Sequence, residues 1–168
     1  MNKSTGQPAF AMVSETHLPE ILAIYNHYVA HSTATFHIHP LSLDEMRGLV
    51  FFPKPCYATY VMLCEGKIAG YVLLTQHKSR EAYDQTAEVT IYLDNRCTGK
   101  GLGRHALAFI EDVARGNGFH VLVATICGEN TSSIRLFETC GYEKCAHYKE
   151  VGMKFDRYLD LIAYEKIL

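Results

Sequence analysis

The chain has 168 residues, of which 48% are hydrophobic, so its length and composition fit one domain, residues 1–168, with a proper core. A formal net charge of −2 argues against a broad basic surface for nucleic acid. Residues 1–6 lack the apolar segment of a signal peptide, and no apolar run approaches membrane-spanning length. We therefore expect neither a nucleic-acid nor a membrane partner.

The six cysteines form no C-x-x-C pair and no other spacing typical of metal ligands. Cys64, Cys127 and Cys140 lie among apolar residues, as small core residues do. Four of the nine histidines, His27, His31, His37 and His39, are close in sequence but lack a metal-binding helix spacing with a third ligand. The pattern predicts a cytoplasmic protein without a metal.

The first half of the chain predicts two helices and three strands. Thr16 is the expected cap of a helix that runs to about residue 30. Ser42 and Glu45 form a capping box that opens a second, short helix. Glu65 and Gly66 are a two-residue hairpin signal between two β-rich runs. The three strands are expected over 10–13, 57–64 and 67–75.

The second half alternates strands and helices. A strand over 86–93 leads into a glycine-rich turn and a third helix with an apolar stripe, which Gly116-Asn117-Gly118 ends. The apolar run 120–126 predicts a strand that is covered on both faces. Asn130 caps a fourth helix that ends at Gly141. We expect a last strand over 155–164, and no strand is assigned between 142 and 155.

The turn after the 86–93 strand carries glycine at alternate positions, Gly99, Gly101 and Gly103. The backbone there can turn tightly and aim several N–H groups at one ligand. The following helix adds its unpaired N–H groups and the positive end of its dipole. The turn therefore predicts a phosphate or pyrophosphate site. The alternative is an ordinary strand–helix turn that is rich in glycine.

Charged neighbours favour the phosphate reading over that alternative, because Arg96, Lys100 and Arg104 cluster on the turn. Two common phosphate loops fit less well. Lys100 precedes Gly101, which is the reverse of the P-loop order, and Arg104 occupies the place of the last glycine in the dinucleotide fingerprint.

The segment Thr98-Gly99-Lys100-Gly101-Leu102-Gly103 resembles the acetyl-coenzyme A loop of the GCN5-related N-acetyltransferase (GNAT) superfamily, [QR]-x-x-G-x-[GA]. Thr98 stands where Gln or Arg is usual. The same motif also fits from Arg96 to Gly101, and we prefer the first register because it puts the last glycine at the helix start.

Further segments resemble the phosphinothricin/methionine-sulfone N-acetyltransferase branch of that superfamily. They are Ile24-Tyr25-Asn26-His27, Ser32-Thr33-Ala34-Thr35-Phe36, Arg80-Glu81-Ala82-Tyr83, Ala87-Glu88, the stretch from Asn130 to Tyr142, and the stretch from Lys154 to Asp160. The resemblance implies an α/β (α+β) fold whose central mixed, mostly antiparallel twisted sheet of six to seven strands carries helices on both faces. It also implies acetylation of the amino group of small amino acids or their analogues, usually by a cytoplasmic homodimer.

The resemblance assigns acetyl-CoA, as co-substrate, to three groups of residues. The pantetheine arm would lie along the strand end, the pyrophosphate in the glycine loop, and further contacts would come from the next helix start. These residues are Ile91, Tyr92 and Leu93, then Thr98, Gly99, Lys100, Gly101, Leu102, Gly103 and Arg104, and finally Asn130 and Ser133. Because the family binds pyrophosphate mainly through backbone N–H groups, Thr98 affects only the side-chain support of the loop.

Glu88 is the candidate general base. It lies in an otherwise apolar strand, where burial favours the protonated carboxyl group and so suits it to accept a proton. The alternative is an outward-facing glutamate on an alternating strand. We expect the proton to move through a water molecule if the carboxylate does not reach the amine.

The acceptor site is expected at Phe36, Arg80, Ala82 and Tyr83. A guanidinium suits bidentate binding of an amino-acid carboxylate, whereas the alternative for Arg80 is a solvated loop residue. The branch often reads aromatic-Arg-x-Arg-x-Ala-Tyr here, and in this chain His77 and Lys78 replace the first two positions. The acceptor amine itself is not identified by the sequence.

Phe137 stands where many relatives carry a tyrosine that protonates the leaving thiolate, so the thiolate would leave unprotonated or take a proton from water. Two other functions stay open at this point. One is acetylation of a protein N-terminus or lysine, which needs an extended groove. The other is a catalytically silent acyl-CoA-binding module, against which Glu88 argues.

Overall fold

The structure is a computed structural model and describes residues 7–168, so the predicted lack of a leader at residues 1–6 lies outside the described residues. Seven strands are β1 (Ala9–Met12), β2 (Ala58–Cys64), β3 (Lys67–Gln76), β4 (Thr86–Leu93), β5 (Val121–Cys127), β6 (Glu143–Lys154) and β7 (Arg157–Ile167). They form one sheet in the order β1-β2-β3-β4-β5-β7-β6. Only the β4–β5 pair is parallel, as the mostly antiparallel mixed sheet of the prediction requires.

Four helices cover the two faces of this sheet. They are α1 (Leu18–His31), α2 (Leu43–Val50), α3 (Leu102–Gly116) and α4 (Thr131–Thr139). One core places Ile21 of α1 and Met46 of α2 against the sheet, and the other does so with Ile110 of α3 and Phe137 of α4. The predicted architecture, with helices on both faces, is therefore confirmed. None of the helices in the described residues combines the length and apolar character that a membrane crossing requires.

Several local signals gave the right elements. Ser42 donates its backbone N–H to Glu45 at 2.8 Å, which is one half of the predicted capping box. Glu65 and Gly66 have φ values of 51° and 76° and form the tight turn between β2 and β3. The predicted strand 86–93 coincides with β4. These features depend on neighbouring residues alone, which explains why the sequence was sufficient.

The predicted start of the first helix was wrong by one residue, because the cap is His17 rather than Thr16. Thr16 lies inside a 3₁₀ turn, Glu15–His17, and α1 begins at Leu18. Pro19 falls in the first helical turn, where its missing N–H costs nothing because that group would have no helical partner. The helix therefore begins at Leu18, with the proline in its first turn, rather than directly after the threonine.

The carboxyl-terminal hairpin was predicted only in part. β6 was not expected, and the last strand is Arg157–Ile167 rather than 155–164. Phe155 and Asp156 form the turn between them, with φ values of 52° and 57°. Because β6 is exposed along most of its length, it lacks the apolar alternation that marks a half-buried strand.

The parallel ladder between β4 and β5 is short. It comprises three residue pairs and ends where Glu88 lies opposite Val123. Beyond this point β4 continues to Leu93 beside β3, and β5 continues to Cys127 beside β7. The two strands therefore part, and an opening forms between their carboxyl ends.

Asp94 ends β4 and shapes the turn that leads to α3. Its Oδ1 accepts the backbone N–H of Arg96 at 2.8 Å, and the Arg96 guanidinium donates to both carboxylate oxygens, with Nη2 2.7 Å from Oδ2. These hydrogen bonds, led by those from the guanidinium, lower the pKa of Asp94 to about 2. The carboxylate thus fixes the approach to the glycine-rich turn.

We expect Asp94→Asn to lower the free energy of unfolding at pH 6 by about 1 kcal/mol, because Asn keeps a capping oxygen but loses the charge pair. A depressed folded-state pKa gives stability that is present above the unfolded pKa near 3.8 and lost as pH falls toward about 2. Urea unfolding at pH 6 and pH 3 should therefore show a larger difference between wild type and variant at pH 6. An equal difference at both pH values would contradict the assignment.

Candidate active site

The opening between β4 and β5 widens into a cleft of about 830 Å³. Residues 89–93 of β4 and 124–127 of β5 form its sides, and the amino-terminal ends of α3 and α4 close it. Most of the predicted site residues line it, namely Phe36, Ile91, Tyr92, Leu93, Thr98, Gly99, Gly101, Leu102, Gly103, Arg104, Asn130 and Ser133.

The glycine loop owes its shape to two residues in the left-handed region. Gly99 has φ +73° and Gly101, directly before α3, has φ +79°. A Cβ at either position would meet nothing within 4 Å, so the backbone conformation, not space, requires glycine there.

Gly103 serves packing instead. A Cβ on Gly103 would lie 2.6 Å from Cδ2 of Leu136, so the glycine lets α3 and α4 approach closely. Asn130 caps α4 by accepting the backbone N–H of Ser133 at 3.2 Å. Two helix amino-terminal ends, both positive in their dipoles, thus meet at the same end of the cleft.

The three cations of the turn have different environments. Arg96 pairs with Asp94, and Lys100 folds back so that its Nζ donates to the backbone oxygen of Arg96 at 2.9 Å. Lys100 is therefore not among the cleft-lining residues, although the sequence placed it in the coenzyme loop. Of the three, Arg104 alone lines the cleft.

Glu88 is the last residue of the β4–β5 ladder and directly precedes Val89, the first cleft-lining residue of β4, but it is not itself among the residues that line the cleft. Its side chain is 29% exposed, and its Oε1 accepts a hydrogen bond from Nδ1 of His77 at 2.8 Å. The apolar surroundings expected from the strand sequence are thus replaced by an imidazole. Neither a buried, unpartnered carboxyl nor a fully solvated one describes this residue.

The predicted acceptor residues separate into two groups. Phe36 lines the cleft, and a Cβ on Gly152 of β6 would lie 2.5 Å from its ring, so the ring is tightly packed. Arg80, Ala82 and Tyr83 lie outside the cleft, around the 3₁₀ turn Glu81–Tyr83.

The link between this turn and Glu88 runs through His77. The Arg80 guanidinium carbon is 5.9 Å from the centre of the Tyr83 ring. That ring in turn meets the His77 imidazole edge-on at 5.7 Å. The turn thus contacts the side chain that hydrogen-bonds the candidate base.

The sequence did not single out Tyr28, which also lines the cleft. Its hydroxyl donates to the backbone oxygen of Leu93 at 2.6 Å, and burial raises its pKa, so it stays a protonated donor at neutral pH. A tyrosine on the apolar face of a helix resembles a packing residue, so the sequence carried no signal for this role. Phe137 lines the cleft too and packs edge-on against Tyr142 at 4.9 Å. Across residues 7–168, no three His, Cys, Asp or Glu side chains group as metal ligands would.

Comparison with known proteins gives a consistent family. Residues 12–163 match the family model described as the acetyltransferase (GNAT) domain. The chain is 36% identical over 149 residues to an L-methionine sulfoximine/L-methionine sulfone acetyltransferase of Salmonella typhimurium. The aligned region covers 84% of this chain and 83% of the relative.

Solved structures agree with this result. A phosphinothricin acetyltransferase of Sinorhizobium meliloti in complex with acetyl-CoA is 29% identical, with a TM-score of 0.91 over 96% of this chain and 89% of that one. A ribosomal-protein-alanine N-acetyltransferase of Brucella melitensis is 32% identical, with a TM-score of 0.86 over 95% and 99%. The chain therefore belongs to the GNAT superfamily and is an acetyl-CoA-dependent N-acetyltransferase.

Proposed function

We propose that the protein acetylates the amino group of a small amino acid or analogue, of the phosphinothricin or methionine sulfone/sulfoximine type, by direct attack in a ternary complex. The observation that carries the proposal is the cleft between β4 and β5. A glycine loop and two helix starts form one end of it, and β4 enters it at Val89, directly after Glu88. The Salmonella and Sinorhizobium relatives act on acceptors of this class by name.

Acetyl-CoA fits the cleft in two parts. The pyrophosphate would accept hydrogen bonds from the first backbone N–H groups of α3 and from the loop, with Arg104 beside it. The pantetheine arm would lie along residues 91–93, where β4 has left the ladder with β5 and its backbone groups are open to a ligand. A backbone N–H on that edge would stabilise the oxyanion of the tetrahedral intermediate.

Glu88 would accept the proton of the acceptor ammonium, directly or through water. The neutral amine then attacks the thioester carbon, a C–N bond forms and the C–S bond breaks. Because Phe137 has no hydroxyl, the thiolate leaves unprotonated or takes its proton from water.

A protein N-terminus is the second candidate acceptor, because the Brucella relative is named for ribosomal-protein alanine. Contacts around Phe36, on the side of the cleft where the acceptor is expected, favour the small acceptor. Phe36 is packed on Gly152, and Lys154 donates from Nζ to the backbone oxygen of Thr35 at 2.9 Å. This closed wall leaves less room for an extended peptide.

We also propose a homodimer in the cytoplasm. The tip of the β6–β7 hairpin, residues 148–158, exposes five large apolar side chains, more than a solvated hairpin needs. They are Tyr148, Val151, Met153, Phe155 and Tyr158, each at least 48% exposed. A second copy packed on this hairpin would cover them. The cysteine pattern supports the cytoplasmic location.

The loop assignment predicts that coenzyme A binds on the order of 10²-fold more tightly than pantetheine, which lacks the diphosphate and its charge-assisted hydrogen bonds. Gly101→Val should remove most of this difference by distorting the loop. Gly66→Val is the matched control, because Gly66 has a similar φ of +76° in the β2–β3 turn. Calorimetric titration with both ligands measures the two affinities. If the ratio of the coenzyme A affinity to the pantetheine affinity is unchanged in folded Gly101→Val, the assignment is wrong.

For the base, Glu88→Gln should lower kcat on the order of 10²–10⁴-fold with acetyl-CoA affinity kept, since general base catalysis contributes about that much. Glu143→Gln, on exposed β6, is the control and should leave turnover unchanged. Near-normal turnover of Glu88→Gln at neutral pH would exclude Glu88 as the base.

The acceptor class is tested by turnover on a panel of free amino acids, sulfone and sulfoximine analogues, polyamines and short peptides. We expect kcat/KM to be highest for a free amino acid or analogue with an intact carboxylate. Higher values for peptides or polyamines would replace the proposal by one of those acceptors.

The Arg80 guanidinium should bind the carboxylate of that acceptor. Converting the carboxylate to an amide should then cost the wild type much and Arg80→Ala little, because both changes remove the same ion pair. Arg80→Lys should raise KM, since it keeps the charge and loses the fork of donors. If the amide costs both proteins equally, Arg80 does not bind the carboxylate.

Sedimentation velocity tests the dimer. The wild type should sediment as a dimer, and Val151→Asp with Tyr158→Asp should sediment as a monomer, because buried, unpaired charges oppose association. A monomeric wild type at micromolar concentration would contradict the proposed interface.

A further inference from the structure

The His77–Glu88 contact follows from strand register. Thr75 of β3 lies opposite Glu88 of β4. His77 directly follows β3 and is two residues beyond Thr75, so the alternation of the strand directs it to the side of Glu88. Diagonal neighbours of this kind are close enough for long side chains to touch. Nδ1 of His77 and Oε1 of Glu88 are 2.8 Å apart, and the two side chains are 19% and 29% exposed.

The chemistry of the two groups defines which atom donates. An ionised carboxylate only accepts hydrogen bonds, so the imidazole must carry its proton on Nδ1. The contact occupies Oε1 of Glu88 and leaves Oε2 to receive a proton. A charge-assisted hydrogen bond of this length also restricts rotation of the carboxylate.

His77 contacts the acceptor turn at the same time. Its ring meets the Tyr83 ring edge-on, with the centres 5.7 Å apart. Cations lie over the same tyrosine, with Lys78 Nζ at 5.2 Å and the Arg80 guanidinium carbon at 5.9 Å from its centre. One imidazole therefore joins Glu88 to the segment that carries the proposed carboxylate-binding arginine.

We propose that His77 is a positioning residue for acetyl transfer. It holds the Glu88 carboxylate with Oε2 toward the acceptor ammonium and fixes its distance from the Arg80–Tyr83 turn. This inference rests on the proposed role of Glu88 as the base.

The proton balance leaves His77 unchanged. The acceptor ammonium gives one proton to Glu88, which passes it to solvent. The amine nitrogen bonds to the acetyl carbon and loses a second proton to water. The C–S bond breaks, and coenzyme A leaves as a thiolate or takes a proton from water. His77 donates its hydrogen bond throughout and neither gains nor loses a covalent bond.

The test compares His77→Phe and His77→Asn in the wild-type and Glu88→Gln backgrounds. Phe keeps the ring against Tyr83 and removes the donor, so kcat should fall on the order of 10- to 100-fold, the effect of losing a hydrogen bond to a charged group. KM for acetyl-CoA should not change. Asn places an amide N–H near the position of Nδ1 and should restore most of kcat.

The Glu88→Gln background separates positioning from general structural damage. If His77 acts through Glu88, His77→Phe should cost little further activity there. An equal loss in both backgrounds overturns the inference. The matched control is His120→Phe, at an exposed position before β5. If His77→Phe has the same kcat as this control, the inference is also overturned. By contrast, near-normal turnover of Glu88→Gln alone refutes the role of Glu88 in the proposed function.

A second measurement does not require the phenylalanine variant to fold. In ¹⁵N-histidine-labelled wild type, the His77 ring, identified by the signals lost in His77→Asn, should carry its proton on Nδ1 at neutral pH. A ring protonated on Nε2 alone cannot donate to Glu88 and overturns the inference.

Discussion

Parallel pairing between β4 and β5 stops at Glu88 and Val123, and the site depends on this interruption. The outer edges of both strands stay fully paired, β4 with β3 and β5 with β7, so the two halves of the sheet are rigid where they diverge. The facing edges keep backbone donors and acceptors without a strand partner, and such groups need water or a ligand. The interrupted ladder thus gives up some strand–strand hydrogen bonds, and the cleft gains walls whose backbone groups can bind a ligand.

In the turn after β4, two charged side chains stabilise the loop rather than face the cleft. Arg96 and Lys100 carry charges suited to a phosphate, but the first is paired with Asp94 and the second bonds a backbone oxygen of the turn. Their role in the structure is to hold the loop in its conformation. On the proposed function, the pyrophosphate would be bound by the backbone of the loop, by Arg104 and by two helix dipoles, which are oriented before a ligand arrives. Preorganised N–H groups of this kind lose little entropy on binding.

Sequence reasoning succeeded where a signal lies within a few residues. The Ser42 capping box, the Glu65–Gly66 turn and the glycine loop each specify backbone geometry locally. It failed where geometry comes from distant pairing. β6 is a strand because β7 pairs with it, and His77 meets Glu88 because of β3–β4 register. That residues 1–168 form one domain stays a prediction.

The two sides of the proposed acceptor site differ in how firmly they are held. The loop with Thr33 and Thr35 is fastened to the carboxyl-terminal hairpin: the Thr33 hydroxyl donates to Glu129 at 3.3 Å, and Arg157 binds the same carboxylate. Lys154, whose pKa burial lowers, donates to the backbone oxygen of Thr35. The Phe36 wall therefore has little freedom.

The opposite side is exposed at Arg80, and the ring of its Tyr83 meets the His77 ring edge-on shortly before β4 begins. A rigid apolar wall discriminates by shape, whereas an exposed guanidinium adapts its position to a carboxylate. On the proposed function, Phe36 would thus determine which side chains of the acceptor amino acid are accepted. Capture of the amino-acid carboxylate would reside at Arg80, and His77 would link the Arg80–Tyr83 turn to the proposed base.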